Sequence, residues 1–283
     1  MDSNAMNTKE MVPVGKTMAV GCEAAGAFEG RKNVCRYFVF FSYDGTAYHG
    51  WQVQPNAPSV QQKLNEALSV LLREPIAVVG AGRTDAGVHA ACMAAHFDVS
   101  HPIDGSWLTE KLNRMLPPDI AVEKVLAVRP DAHARFNALE RTYHYHVYLR
   151  KNPFLRHFAT RLYSVPDFER MNEAAAVLLE TSDFTSFSKL HTDTKTNICH
   201  VKRAKWVKVS DDLWRFEITA DRFLRNMVRA VVGTLLDVGR GKMTVEQFRG
   251  VIESKDRCAA GDSVPGNALS LVQVVYPEDL FCE

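Results

Sequence analysis

The sequence has no apolar run long enough to cross a bilayer. Its longest mainly apolar stretch, Met227–Val238, is short and is interrupted by Arg229. It also lacks a basic segment followed by a clean apolar one near its start, so no secretory signal is read there. Cysteine is sparse. Cys22, Cys35, Cys92, Cys199, Cys258 and Cys282 are spread through 283 residues, and no two have CxxC spacing. That pattern argues against a zinc site of the usual spacing and fits a reducing compartment better than a disulfide framework. The expected location is the cytoplasm. Excess charge of one sign is missing too: Lys+Arg 34 against Asp+Glu 33 leaves a formal net charge of +1. A basic nucleic-acid tail or an acidic disordered chain is thereby excluded. RNA binding is not, because it depends on how charge is distributed over a surface.

What is present is enough apolar material for a core, 46% of the chain. Residues 1–35 have no sustained periodicity and read as a disordered leader, in which Ser3-Asn4-Ala5-Met6 looks like a tag remnant. From Arg36 the pattern sharpens. Arg36–Tyr43 is aromatic and β-branched and reads as a buried strand closed by the turn Asp44-Gly45. Ser59 and Gln62 form a capping-box signature ahead of Val60, Leu64, Ala67, Leu68, Leu71 and Leu72 at helical spacing. Strands follow at Ile76–Val79 and Met93–Val99, a helix at Trp107–Met115, and a strand at Ile120–Val128. The order is β-α-β-β-α-β.

The second half repeats that order. Thr142–Leu149 alternates as a strand, and Asp167 caps a helix through Leu179. Val201–Val209 and Trp214–Ala220 are strands. Arg222–Val238 reads as a helix stopped by Gly239. Thr244 with Gln247 caps another helix to about Ser254, and Leu269–Tyr276 is the last strand. The expected fold is α+β: two ferredoxin-like split βαβ halves, at 36–128 and 142–283, joined by 129–141. Their antiparallel sheets would meet around a central cleft, with helices on the outer face.

Charge is unevenly spread. Residues 129–161 and 189–208 each carry a net charge of +5, whereas 253–283 carry −4. The basic stretches contain Tyr143, Tyr145, Tyr148 and Trp206, as a phosphate-tracking groove with stacking platforms would. Two solvated strand faces would give the same pattern.

The sharpest motif is the loop 81–90, Ala-Gly-Arg-Thr-Asp-Ala-Gly-Val-His-Ala, between two expected strands. Its glycines allow a tight turn and close approach of a ligand. Arg83 and Asp85 share the loop, which by spacing alone reads sooner as a turn with a local ion pair than as a site. A second feature is Phe223–Arg229. Arg222, Arg225 and Arg229 would share one helix face, and Arg229 among Met227, Val228, Val231 and Val232 calls for an anionic partner or for a head that reaches water. A third is Arg141-Thr142-Tyr143-His144-Tyr145, whose two tyrosines share a strand face. The ten histidines do not group as HxxxH or HExxH, so no metal site is read.

Four segments, in order, resemble the TruA-like family of tRNA pseudouridine synthases. They are Tyr43–Gln52, the Gly82–His89 loop, Arg135-Phe136 through Tyr145, and Phe223–Gly233. The resemblance spans about residues 36–277, and the string GRTDAGVHA is highly specific. Ala268-Leu269 stands where the family usually has Gly-Leu, and the Lys189–His200 loop matches loosely. The resemblance implies isomerisation of uridine to pseudouridine at positions 38 to 40 in the tRNA anticodon stem-loop, without cofactor or metal, by a homodimer whose tRNA partner lies across both subunits. It also implies residue roles. Asp85 is the nucleophile and Arg229 pairs with it. Tyr143 packs on the target base, and Arg83 helps hold that nucleotide flipped out. Arg141 and Arg225 are further candidates for substrate binding. A non-catalytic tRNA-binding or tRNA-folding protein on the same scaffold is the alternative. A glycosidase-like enzyme is disfavoured, because it would need a second flanking carboxylate.

Overall fold

The computed structural model describes residues 34–189 and 196–282. The expected leader lies outside those residues, apart from its last two positions, as do 190–195 of the loosely matched loop.

The chain is a mixed α/β structure built on one mostly antiparallel sheet. Strand β1 (Cys35–Tyr43) pairs antiparallel with both β3 (His89–Val99) and β4 (Ile120–Val128), and the short β2 (Val79–Gly80) adds to β3. Strand β5 (Glu140–Tyr148) pairs antiparallel with β8 (Leu213–Ala220) and β9 (Leu269–Val275). Strand β7 (Val201–Ser210) lies beyond β8, and β6 (Thr160–Arg161) pairs with β5. The main path runs β4-β1-β3-β9-β5-β8-β7. Its two groups of strands join through the parallel contact of β3 with β9, in which His89 faces Ser270 and Ala90 faces Leu271.

Helices α1 (Val60–Leu72) and α2 (Gly105–Met115) belong to the first group. Helices α3 (Phe168–Glu180), α4 (Met227–Gly239) and α5 (Val245–Ser254) belong to the second. Local chemistry explains their starts. Asp104 and Asp167 each accept two backbone N–H groups of the first turn, and Thr244 with Gln247 completes a reciprocal capping box. At α1 the expected box is half made. Ser59 accepts from the Gln62 backbone, but the Gln62 side chain turns to Glu66 instead.

The buried side chains form two clusters. One gathers Val39, Phe41, Leu64, Leu68, Phe97, Leu108 and Leu112, and the other gathers Tyr145, Met171, Leu178, Trp206, Phe216, Val231 and Leu235. Strand β1 is buried on both faces, as its continuous apolar run implies. On one of them Phe38 meets Tyr276 and Phe281 of the C-terminal segment, with ring centroids 5.2 and 6.1 Å apart.

Two expectations need correction. The helix read over Arg222–Val238 begins only at Met227. Asn226 at its N-cap has φ +66°, a left-handed backbone that no helix can run through, and its side chain donates to Ser263 Oγ at 2.6 Å. The strand read at Ile76–Val79 shrinks to Val79–Gly80, because side chains of α1 satisfy the backbone before it: Ser69 accepts from Ile76 N–H and Asn65 from Val78 N–H. Among the described residues no helix is long and apolar enough to cross a membrane.

One buried histidine ties the 129–141 segment to β3. His96 is 6% exposed and its Nδ1 accepts from Ala134 N–H at 3.1 Å. Burial, reinforced by His133 and Arg36, pushes its pKa down to about 4 from 6.5. The folded state thus binds fewer protons than the unfolded one below pH 6.5, so stability falls as pH drops from 6.5 towards 4. We expect urea midpoints to decline over that window. Burial also pushes His146 down to about 4 and lowers His144 and His133, so His96→Asn, which keeps an acceptor for Ala134 but cannot titrate, should make the decline shallower without abolishing it; parallel curves for the two proteins would show that His96 does not contribute.

Candidate active site

The site forms where the two strand groups meet. The loop between β2 and β3 carries Asp85, and the second turn of α4 begins beyond Arg229. Arg229 Nη1 donates to Asp85 Oδ2 at 3.0 Å, across 144 residues of sequence. Both side chains are about one-quarter exposed, 23% for the arginine and 28% for the aspartate. At that separation and an effective dielectric near 20 the attraction is on the order of 5 kcal/mol before desolvation and screening are subtracted. Asp85 Oδ1 makes no hydrogen bond with the described residues, so one carboxylate oxygen is held and the other is left for chemistry.

The guanidinium is itself held. Arg229 Nε donates to the Val264 carbonyl at 2.7 Å, and Val264 N–H donates back to the Arg229 carbonyl at 3.2 Å. The 262–264 segment reaches this position because Gly233, one turn further along α4, has no side chain: a Cβ there would collide with the Asp262 carbonyl. This answers the need for an anionic partner that an arginine in an apolar stretch creates.

The Tyr43–Gln52 segment forms a cradle for the loop. Tyr43 Oη and Thr84 Oγ1 are 2.8 Å apart, Trp51 N–H donates to the Thr84 carbonyl at 3.2 Å, and Gly87 N–H donates to the Tyr48 carbonyl at 3.2 Å. Gly45 and Gly50 are glycines because a Cβ on either would strike the loop backbone, at Val88 and Thr84 respectively. Gly87, at φ +74°, supplies the left-handed turn after Asp85. Gly82 has neither a positive φ nor a close neighbour, so only one of the two loop glycines has a conformational reason to be there.

Tyr143 on β5 comes to the same place. Its ring meets Phe223 edge-on with centroids 5.1 Å apart. Burial pushes its phenol up to about 12; Arg141 opposes that rise and the negative charge of Asp85 adds to it. The hydroxyl therefore stays protonated at physiological pH. Among the described residues it has no hydrogen-bond partner. Tyr43, bonded to the Thr84 hydroxyl, is likewise pushed up by burial and keeps its proton.

The other candidates separate. Arg83 is exposed on the same loop, two residues before Asp85, and makes no hydrogen bond or ion pair with the described residues. Arg225 is exposed on the non-helical approach to α4, so it does not share a helix face with Arg229; its carbonyl accepts from Lys189 N–H. Arg141 is committed to backbone. Its guanidinium donates to the carbonyls of Ala81, Arg135, Ala138 and Asp221 at 2.6–3.1 Å, and burial lowers its pKa. It ties the N-terminal end of the Asp85 loop to the 129–141 segment and to the end of β8. Two residues carry more of the site than their sequence context indicates. Phe223 buttresses Tyr143, and His89 is buried at the far end of the loop. Among the described residues no three His, Cys, Asp or Glu side chains converge as a metal site requires.

A family model for tRNA pseudouridine synthases matches residues 39–137 and 174–277. Asp85, its cradle and Arg229 fall inside the matched stretches, and Arg141 and Tyr143 fall between them. The chain is 62% identical over 250 residues to tRNA pseudouridine synthase A of Bacteroides thetaiotaomicron, covering 88% of this chain and 93% of that protein. Identity to the protein of the same name is 60% over 247 residues in Parabacteroides distasonis (87% and 98% covered) and 41% over 239 residues in Bacillus subtilis (83% and 96% covered).

If Gly233 seats the segment that holds Arg229, Gly233→Ala should push the 262–264 segment away. We expect a loss of about 1–3 kcal/mol in unfolding free energy, with activity falling further than folded fraction alone explains. A variant with wild-type melting and turnover would show that the segment simply relaxes.

Proposed function

Since the chain belongs to the TruA-like family of tRNA pseudouridine synthases, and is thus an isomerase, we propose that it converts uridine to pseudouridine in the anticodon stem-loop of tRNA, at positions 38 to 40, with Asp85 as nucleophile and no cofactor. The observation that carries this reading is the Asp85–Arg229 contact at 3.0 Å, with one carboxylate oxygen engaged and one not. The guanidinium fixes that carboxylate beside a positive charge and leaves its second oxygen to attack. In the reaction the bond from N1 of uracil to the ribose breaks and one from C5 forms; C5 gives up its proton and N1 takes one. Asp85 attacks the nucleoside so that the base detaches, turns and rejoins through carbon, and the bond to Asp85 breaks again before product leaves, which restores the carboxylate.

A uridine within a stem is out of reach until it is flipped out, at a cost of a few kcal/mol. Tyr143, wedged by Phe223, offers a face for the extruded base, and stacking on an aromatic ring returns roughly 1–3 kcal/mol. Its protonated hydroxyl is available as a donor. Arg83, without a hydrogen bond or ion pair among the described residues, fits the role of holding the flipped nucleotide. Arg225, exposed just before α4, supports a role in meeting phosphate. For Arg141 the four carbonyl contacts favour positioning of the Asp85 loop over substrate contact. The organisation we read is two split βαβ halves, 36–128 and 142–283, joined by 129–141. The strand orders β4-β1-β3-β2 and β9-β5-β8-β7 support it. A homodimer with tRNA across both copies completes the reading.

The test is pseudouridine formation on an unmodified tRNA transcript with uridines in the 3′ arm of its anticodon stem-loop. Asp85→Ala should bind tRNA yet lose turnover by on the order of 10⁴-fold or more. Turnover in that variant would remove Asp85 as nucleophile, and binding by both proteins without product would favour a non-catalytic tRNA binder. Tyr143→Phe should retain most activity, whereas Tyr143→Ala should lose about 10- to 100-fold through lost stacking; equal rates for all three would reduce Tyr143 to packing.

A further inference from the structure

His89 ends the Asp85 loop and opens β3, and it is 3% exposed. A histidine at a strand start in a core is usually a passive filler. The contacts of this one are not those of a filler. Its Nε2 lies 2.9 Å from two carbonyl oxygens, those of His157 and Asn267. Carbonyls only accept, so Nε2 carries a proton. Its Nδ1 lies 3.0 Å from Gly45 N–H and 3.1 Å from Asp44 Oδ1. Phe158 covers the ring at a centroid distance of 4.8 Å. One side chain therefore fastens four separate segments: the Asp85 loop, the Asp44-Gly45 turn, the His157 segment and the Asn267 turn.

Those segments are the ones on which the nucleophile's position depends. The Asp44-Gly45 turn begins the cradle that holds Thr84 and Gly87. The Asn267 turn follows directly on Val264, which holds Arg229, and Gly266 next to it packs on the Ala86 carbonyl, where a Cβ would crowd the loop. His89 also sits at the two-residue parallel contact where β3 meets β9. The carboxylate and its guanidinium belong to different strand groups, and His89 is the side chain that pins both of their supports at once.

We infer that His89 is a positioning residue for the isomerisation, setting the placement of Asp85 against Arg229 without touching substrate. This rests on the reading of Asp85 as nucleophile. A displacement of the nucleophile by about 1 Å can cost on the order of 100-fold in rate while leaving substrate affinity alone.

The experiment is steady-state turnover on the tRNA transcript with three variants. His89→Ala removes both ends of the bridge. His89→Asn keeps an acceptor near the Nδ1 position for Gly45 N–H, and His89→Gln keeps a donor near the Nε2 position for the two carbonyls. We expect kcat to fall about 10- to 100-fold for His89→Ala and less for the other two, with KM for tRNA unchanged within about twofold. Wild-type kcat in all folded variants, a loss confined to KM, or equal losses regardless of which bond is retained would each overturn the inference. If His89→Ala does not fold, the other two variants against wild type decide. On the wild-type protein, imidazole nitrogen NMR should find Nε2 of His89 protonated; a ring protonated only at Nδ1 contradicts the assignment. Wild-type protein that makes no pseudouridine, or Asp85→Ala that still makes it, would instead count against the nucleophile reading and leave the His89 comparison without its premise.

Discussion

A carboxylate and a guanidinium 3.0 Å apart, drawn from strand groups with separate hydrophobic clusters, set the terms for everything around them. The pair is a quarter exposed, so neither full burial nor water alone sustains it. A surface ion pair of that exposure contributes little unless its geometry is fixed in advance. The structure supplies the fixing from both sides. On the arginine side, Val264 engages both the side chain and the backbone of Arg229, and Gly233 makes room for it. On the aspartate side, the loop backbone is bonded to Tyr48 and Trp51 and its Thr84 hydroxyl to Tyr43. What these bonds leave unengaged among the described residues is the second carboxylate oxygen, as the proposed attack on a nucleoside needs.

The seam between the strand groups gives that pair its setting. Strands β3 and β9 make only two residue pairs, a slender join for a sheet of nine strands. Side chains reinforce it: Arg141 gathers four carbonyls at one end of the Asp85 loop and His89 gathers two carbonyls and an N–H at the other. Polar side chains do this where apolar packing could not, because loops arriving at a seam bring unpaired carbonyls that must be satisfied. A seam lined only by hydrophobic side chains would leave those groups bare.

Much of this was legible in the sequence. Periodicity and capping residues located the strands and helices to within a few residues, since hydrophobic alternation and an N-cap are local signals. The start of α4 was not legible. Phe223-Leu224 continues the apolar pattern into the helix, and only the tertiary bond from Asn226 to Ser263 accompanies the left-handed turn that delays it. For the same reason a shared face for Arg222, Arg225 and Arg229 was a false expectation. The anchoring role of Arg141 was not legible either: no local pattern indicates that four carbonyls will converge on it. His89 stood in plain view inside the most specific string, yet a histidine beside an aspartate draws attention to the aspartate.

That string divides its labour in a way that explains its specificity. Arg83 and Asp85 reach outwards, towards solvent and the guanidinium. Thr84, Val88 and His89 turn inwards and are buried, and Gly87 between them takes the left-handed conformation that reverses direction. The inward set is as constrained as the outward one. Thr84 needs a hydroxyl for Tyr43, Val88 belongs to the second hydrophobic cluster, and His89 needs two ring nitrogens at opposite edges. A partly exposed carboxylate cannot be held by surrounding it, since surrounding it would bury it. It can be held only by anchoring its neighbours in sequence, and this requires particular residues at nearly every position of the loop. A short loop that aims one carboxylate therefore carries a motif several times longer than that carboxylate alone.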